Sequence, residues 1–333
     1  MVSVARQGVG ITGLGKCLPR RCVTNADLAV ELGVTADWIV ERTGIKSRHF
    51  VTAGESASFL SAQAGKQALE RAGVKASDLG WIIGCTASGD YVFPAMACKV
   101  QALLGAHHAG AFDLSAGSTG FQVGLDAAWN RLRCDSEMTH VLVIGTAVQS
   151  PYLDWGNPKV SILFGDGSGA AVVSRVPRGY GALASNIFCD PGAFEAVRLR
   201  GGGSSHPLRS DNVNQGLQFI EMDGGRVGRA FLKYQPIMIE QALKKAGLLM
   251  KEVDLFIFHQ ANSRLIRFLM SRMKVSMSKT YTNGERIGNN SDASLSIALC
   301  EEWEQNLIRR NSIVVLSGVG AGCVFGATVL RWH

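Results

Sequence analysis

The sequence predicts an α/β protein made of two related halves, each a mostly parallel sheet with helices on both faces, stacked as a five-layered αβαβα sandwich. Three observations predict it. Strand-length apolar runs alternate with helical-period segments along the 333 residues. Gln67-Ala-Leu-Glu-Arg-Ala-Gly73 followed by Ser77-Asp-Leu-Gly-Trp-Ile-Ile83 returns as Gln241-Ala-Leu-Lys-Lys-Ala-Gly247 followed by Val253-Asp-Leu-Phe-Ile-Phe258, an offset of 174 at the glutamines (241 − 67) and 176 at the aspartates (254 − 78). Cys17-Leu-Pro19 also matches Cys189-Asp-Pro191, and Val141-Leu-Val-Ile matches Ile313-Val-Val-Leu, both at an offset of 172. Ordered matches at a nearly constant offset indicate an internal duplication, with halves 1–176 and 177–333. Two equivalent sheets then share a central helix layer, and ligands are expected at the strand ends between the halves.

The elements follow in order. Val9 to Leu14 reads as a first strand. Gly8-x-Gly10-x-x-Gly13 matches a dinucleotide fingerprint, but Cys17-Leu-Pro19 follows it where a helix must open, so that site is rejected. Thr24 or Asn25 caps a short helix, Thr35 begins another that stops at Gly44, and Glu55 to Ala72 is a long helix closed by Gly73. Leu79 to Cys85 is a strand, residues 95–104 a helix, and Val141 to Ile144 a strand. Phe164 to Val173 reads as strand, tight turn, strand, with packing preferred over a phosphate cradle and Asp166 a structural residue. Residues 201–216 read as a mobile surface loop. Ile313 to Leu330 is uncharged and long enough for a membrane span, but glycines at 318, 320, 322 and 326 argue for two buried strands around a turn.

Composition narrows the classes of function. Hydrophobic content of 47% with 18% charged residues fits a globular protein and excludes disorder. The first residues carry no export signal and the eight cysteines make no C-x-x-C pair or zinc cluster, so a reducing cytoplasm, buried thiols and no metal are expected. A net charge of +7 suggests acidic or phosphate-bearing partners; basic residues without interleaved aromatics do not make a nucleic-acid platform.

The candidate chemistry lies in Ala111-Phe-Asp-Leu-Ser-Ala-Gly-Ser118-Thr-Gly-Phe121, read as strand, sharp turn and helix with Ser118 on the turn. A hydroxyl there stands beside unpaired N–H groups that favour an anion, which suits an acyl-transfer nucleophile, and it also suits an ordinary helix cap. Under the duplication, His259-Gln-Ala-Asn262 answers Cys85-Thr-Ala-Ser88, and Gly288-Asn-Asn-Ser291 answers the Ser118 turn. Ser118, His259 and Asn289 are therefore expected to face one cleft, as nucleophile, base and neutral donor.

With Gly318-Val-Gly-Ala-Gly322, these motifs resemble in order those of the β-ketoacyl synthase III family, of thiolase-like fold, over nearly the whole chain. The resemblance implies a homodimer without a permanently bound cofactor that takes an acyl group from acyl-CoA or an acyl carrier protein. Its Cys-His-Asn triad here becomes Ser118, His259 and Asn289, with the amides of Ser118 and Ala321 as oxyanion hole. Trp38 and Arg42 match the clamp on the coenzyme A adenine, Asn262 a pantetheine contact, and Phe93 the residue lining the acyl pocket across the dimer. Gly228 replaces a frequent aromatic, and Arg229, Arg264 and Arg267 fall where the acidic carrier docks.

The departure is Ser118 itself. A serine needs a base to take its proton, here assigned to His259, and its acyl ester is a poorer donor than a thioester. Serine-bearing members resemble the anthracycline (daunorubicin-type) starter-unit enzyme of bacterial antibiotic pathways. The expected activity is therefore transfer of a short acyl group through acyl-Ser118 to a carrier protein or hydroxyl; decarboxylative condensation with malonyl-ACP is the alternative. A serine hydrolase, from the Ala116-x-Ser118-x-Gly120 elbow with Asp254 and His259, and a non-catalytic partner subunit complete the readings.

Overall fold

The computed structural model describes residues 7–333. Its first half runs β1 (Gly8–Cys17), β2 (Arg21–Thr24), α1 (Asn25–Leu32), α2 (Ala36–Thr43), β3 (Ser47–Phe50), α3 (Ala57–Ala72), β4 (Leu79–Cys85), α4 (Met96–Leu104), β5 (Gly110–Leu114), α5 (Gly120–Cys134), β6 (His140–Ala147), α6 (Pro158–Ser161) and β7 (Gly167–Val176). There follow β8 (Gly181–Cys189), β9 (Val197–Leu199), β10 (Ile220–Met222), α7 (Gly224–Ala246), β11 (Leu255–Phe258), α8 (Ser263–Arg272), α9 (Gly284–Ile287), α10 (Ser294–Glu304), β12 (Ile313–Gly320) and β13 (Val324–Arg331).

Side-chain alternation assigns each strand to two layers. On β6, Val141 and Val143 join Leu255 and Ile257 of β11, Val314 and Leu316 of β12, Phe121, Leu125 and Trp129 of α5, and Leu295 and Leu299 of α10 in one buried cluster. The intervening Leu142 and Ile144 pack instead with Leu60, Ala64 and Ala68 of α3 and Val100 of α4. On the other side, Phe256, Phe258 and Val315 pack with Phe231 and Ile239 of α7 and Ile266 and Leu269 of α8. The result is the expected sandwich: α3 and α4, a sheet, α5 and α10 in the centre, a second sheet, α7 and α8.

The sheets are mixed rather than mostly parallel. In the first, the order β5-β4-β6-β7-β1 has β4 parallel to β5 and β6, and β7 antiparallel to β6 and β1. In the second, β11-β12-β13-β8 repeats that order and those senses, and a bridge from Phe256 to Thr280 takes the place of β5. Three residues between β12 and β13 are too few for a parallel crossover, so these strands must run antiparallel. β1 and β8 meet through one parallel pairing, Val9 with Gly181, which joins both sheets into a nine-stranded order.

The glycines first noted for a dinucleotide site serve this packing. A Cβ at Gly13 would stand 2.7 Å from the Ala72 Cβ, so helix α3 lies directly on β1. Several boundaries differ from expectation: β1 runs on to Cys17 rather than Leu14, and β6 to Ala147 rather than Ile144. Helix α3 begins after Ser56, whose hydroxyl caps the Phe59 N–H, because the Glu55 carboxylate is taken by Thr52 and the Arg20 N–H. Phe164 to Val173 holds one strand, not two, since Asp166 is fully buried and accepts from the amides of Val51, Gln149 and Ser150, tying the segment down where a hairpin would need it free.

Residues 313–330 form β12, a turn and β13 as expected, and no helix among the described residues is long and apolar enough to cross a membrane. The cysteines depart from a uniformly buried set: Cys85, Cys300 and Cys323 are buried, but Cys22, Cys98, Cys134 and Cys189 are exposed at sheet edges and helix surfaces. Among the described residues no group of His, Cys, Asp and Glu could hold a metal ion.

Phe121, fully buried in the central layer, has no room to collapse if truncated. Phe121→Ala is expected to cost about 3–5 kcal/mol, measured by urea unfolding against wild type.

Candidate active site

Strand β5 ends at Leu114, and one 3-10 turn, Gly117–Thr119, leads into α5 at Gly120. This turn lies against the end of β12. Gly117 has a φ of 53°, and a Cβ there would collide with the Ala321 nitrogen; a Cβ at Gly320 would stand 2.7 Å from the Ser118 nitrogen. Only glycine admits such an approach. The Thr119 hydroxyl fixes it by donating to the Val324 carbonyl at 2.8 Å. Ser118 and Ala321 thus each sit in the first turn of a short 3-10 segment, where N–H groups lack an intrahelical acceptor. Two such donors side by side can receive an oxyanion.

The hydroxyl of Ser118 does not cap the helix. Helix α5 has no side-chain cap at its start, and Ser118 Oγ faces Ser291 Oγ at 3.1 Å. His259 follows β11 and continues the ladder, its N–H donating to the Ser317 carbonyl at 3.0 Å. Its ring is buried and Nδ1 has no partner, and burial pushes its pKa down to about 4, so the imidazole is neutral at ordinary pH. Ser118 bonds to Ser291 and no bond joins it to His259, so the expected serine–histidine pair is not formed here. Asn289 is held by its own N–H donating to the Leu163 carbonyl at 2.9 Å and its carbonyl accepting from Gly165. Its Oδ1 accepts from the Ser291 N–H at 2.9 Å, which leaves the amide NH2 for a substrate.

Ser118, His259, Asn289, Ser291 and Ala321 line one cavity of about 150 Å³. A wider one of about 480 Å³, lined by Arg42, Lys159, Asn262 and Leu265, shares Met222, Val227, Ala261 and Asn289 with it, so a channel leads from the surface to Ser118. At its mouth the Arg42 guanidinium lies 4.4 Å over the Trp38 ring. Asn262 both lines the channel and caps α8, accepting from the Arg264 and Leu265 amides. Lys159, at the start of α6, adds a second cation that sequence reasoning missed; an isolated lysine after Asn157-Pro158 carries no signal of its own.

Other candidates lie outside the channel. Gly228 is buried on α7, and a Cβ there would reach Leu265 at 3.8 Å, so a larger residue would project towards the mouth. Arg229 on α7 and Arg264 and Arg267 on α8 are exposed near it. Phe93 is 83% exposed beside Tyr91 and Val92 and lines neither cavity of its own protomer.

The neutral His259 makes a pH prediction. Between about pH 6.5 and pH 4 the unfolded chain binds a proton at this residue that the folded chain refuses, so the stability present above pH 6.5 is lost as pH falls. His259→Asn removes that loss, of the order of 3 kcal/mol at pH 4. Thermal midpoints recorded across this range should fall less steeply for the variant than for wild type.

Two family models match the chain, 3-oxoacyl-(acyl-carrier-protein) synthase III over residues 112–191 and the C-terminal region of the same enzyme over residues 243–332. The β-ketoacyl-(acyl-carrier-protein) synthase III of Caldanaerobacter subterraneus subsp. tengcongensis is 38% identical over 97% of both chains. Among solved structures, the 3-oxoacyl-(acyl-carrier-protein) synthase III of Aquifex aeolicus superposes with a TM-score of 0.89 at 33% identity, covering 98% of this chain and 100% of its own. The priming β-ketosynthase of a polyketide biosynthetic pathway gives 0.89 at 29% identity, covering 98% and 97%. The duplicated, thiolase-like architecture and these matches along almost the entire length agree: the chain belongs to the 3-oxoacyl-(acyl-carrier-protein) synthase III family.

Proposed function

We propose that this chain is a β-ketoacyl synthase III-type enzyme that loads a short acyl group from acyl-CoA onto Ser118 and condenses it with a malonyl unit on an acyl carrier protein. The observation that carries the proposal is the placement of Ser118 beside the Ser118 and Ala321 amides at the inner end of a channel that also holds His259 and Asn289. In loading, Ser118 Oγ bonds to the thioester carbon, the oxyanion is held by the two amides, and the carbon–sulfur bond breaks as the Ser118 proton passes to the departing thiolate. In condensation, loss of carbon dioxide from the malonyl unit generates the carbon nucleophile that attacks acyl-Ser118, and the departing Ser118 oxygen takes a proton from solvent to restore the hydroxyl. The neutral His259 and the Asn289 amide are donors for the developing enolate oxygen, and decarboxylation compensates for the weaker acyl donor that an oxygen ester makes.

Arg42 with Trp38, and Lys159, supply the cations and aromatic face for the coenzyme A nucleotide. Arg229, Arg264 and Arg267 suit an acidic carrier protein beside the mouth. Homodimerisation is supported by exposed Tyr91, Val92, Phe93 and Leu103 next to the edge strand β5, the patch that would deliver Phe93 to a partner's pocket. A polyketide or antibiotic starter-unit role is supported by the likeness to the priming β-ketosynthase. The internal division at residues 176 and 177 is supported by the repeated strand order.

A second reading, simple acyl transfer from acyl-Ser118 to a carrier thiol or hydroxyl, is favoured by the serine alone. The names of the relatives at 38% and 39% identity favour condensation over it.

Intact-protein mass spectrometry after incubation with acetyl-, propionyl- and malonyl-CoA tests the proposal. Wild type is expected to gain one acyl group and Ser118→Ala none; no gain with any CoA or carrier donor would refute the nucleophile. Adding malonyl carrier protein to the acylated enzyme then separates the readings, since a β-ketoacyl product supports condensation and a plain acyl-carrier product supports transfer.

A further inference from the structure

Asp292 is the one acidic side chain in the Asn289–Ser294 segment, and nothing assigned above uses it. It is fully buried, and its Oδ1 has no hydrogen-bond partner. Its Oδ2 lies 3.3 Å from Ser291 Oγ, which in turn lies 3.1 Å from Ser118 Oγ. The three side chains form an unbroken file from the nucleophile into the protein. The surroundings leave room for it: at Gly120, two residues after Ser118, any Cβ would strike Asp292 Oδ1, and at Gly145 any Cβ would strike the Asp292 carbonyl.

We infer that Asp292, acting through Ser291, is the group that receives the Ser118 proton during acylation, a positioning residue that the serine nucleophile requires. The inference rests on the acyl-Ser118 reading. As Ser118 Oγ bonds to the thioester carbon, its proton passes to Ser291 Oγ while the Ser291 proton passes to the Asp292 carboxylate. The carbon–sulfur bond breaks with its electron pair on sulfur, and the proton returns along the same file to the leaving thiolate, restoring the carboxylate. Acyl thioester and Ser118 hydroxyl become acyl ester and free thiol, and no other reactant is consumed.

An acidic residue beside the start of α10 could serve only the helix dipole, but such residues sit in solvent and stay ionised. Asp292 is instead fully buried and exchanges its proton near neutrality. Desolvation raises its pKa to about 7, opposed chiefly by the hydrogen bond from the Ser291 hydroxyl. No opposite charge faces it. Strand β4 contributes Cys85, whose thiol is itself pushed up by burial and by Asp292; α5 and β6 contribute Gly120 and Gly145; and His259, across the cavity from β11, is neutral. A carboxylate that gains its proton near neutrality is matched to general-base work, whereas the more deeply depressed His259 is a far weaker base. A cysteine at position 118 would reach its thiolate with little help, which is why the relay belongs to the serine.

The test measures acylation rates by rapid quench and intact mass, from about pH 5.5 to 9, for wild type, Asp292→Asn, Ser291→Ala, Ser118→Cys and the double variant Ser118→Cys/Asp292→Asn. Asp292→Asn is isosteric, and Ser291→Ala keeps the carboxylate while cutting the file. Both are expected to slow acylation of Ser118 about 100-fold and to abolish its rise near neutral pH. In the cysteine background the Asp292→Asn penalty is expected to shrink to less than about tenfold. Rates within about threefold of wild type with an unchanged pH profile, or an equal penalty in both backgrounds, would overturn the relay while leaving acyl-Ser118 intact. Failure of wild type itself to acylate would overturn both.

Discussion

The contact between the Ser118 turn and the end of β12 is the constraint on which the rest of the site depends. Gly117 and Gly320 let two backbones from opposite halves approach to a distance no side chain would allow. That approach sets the Ser118 and Ala321 amides side by side, and it places Ser118 between Ser291 on one flank and the channel on the other. The energy that holds it comes from elsewhere, from the dry cluster of Phe121, Leu125, Trp129, Leu295 and Leu299 in the central layer.

Duplication explains why the chemistry gathers where it does. Equivalent strands in the two halves end at the same level of the sandwich, and the loops after them meet at the pseudo-twofold. The turn after β5, the residues after β11 and the turn before α10 supply Ser118, His259 and Asn289 from three separate places in the sequence. Neighbouring positions that carry no charge are as necessary. Ala87, Gly117 and Gly320 bring no charge to a cavity wall that also carries Arg198, and the ionisation of His259 and Asp292 is governed by their burial away from water.

That dryness acts in opposite directions on two groups. Burial disfavours charge, so it lowers the pKa of His259 and raises that of Asp292. In a serine-bearing site the better proton acceptor near neutrality is then the carboxylate, a reversal of the roles that the residue types by themselves suggest. The orphaned Nδ1 of His259 is shut away without a partner, part of the burial that holds the ring neutral.

The sequence by itself determined the layered α/β architecture, the repeat, many elements of the first half and the convergence of Ser118, His259 and Asn289 on one cleft. These follow from hydrophobic periodicity, from glycine and cap positions such as Thr24, Thr35, Gly44 and Gly73, and from the constant offset between halves, all of which are local or translational properties of a chain. Only the tertiary structure decided that the sheets are mixed, that Asp166 ties down a segment that reads as a hairpin, that Lys159 reaches the channel mouth, and that Ser118 bonds to Ser291 instead of His259. Those facts depend on which groups meet across more than a hundred residues of chain and on how much water is left around them. Distances and desolvation of that kind arise only when the two halves pack, and a string of residue types does not encode them one position at a time.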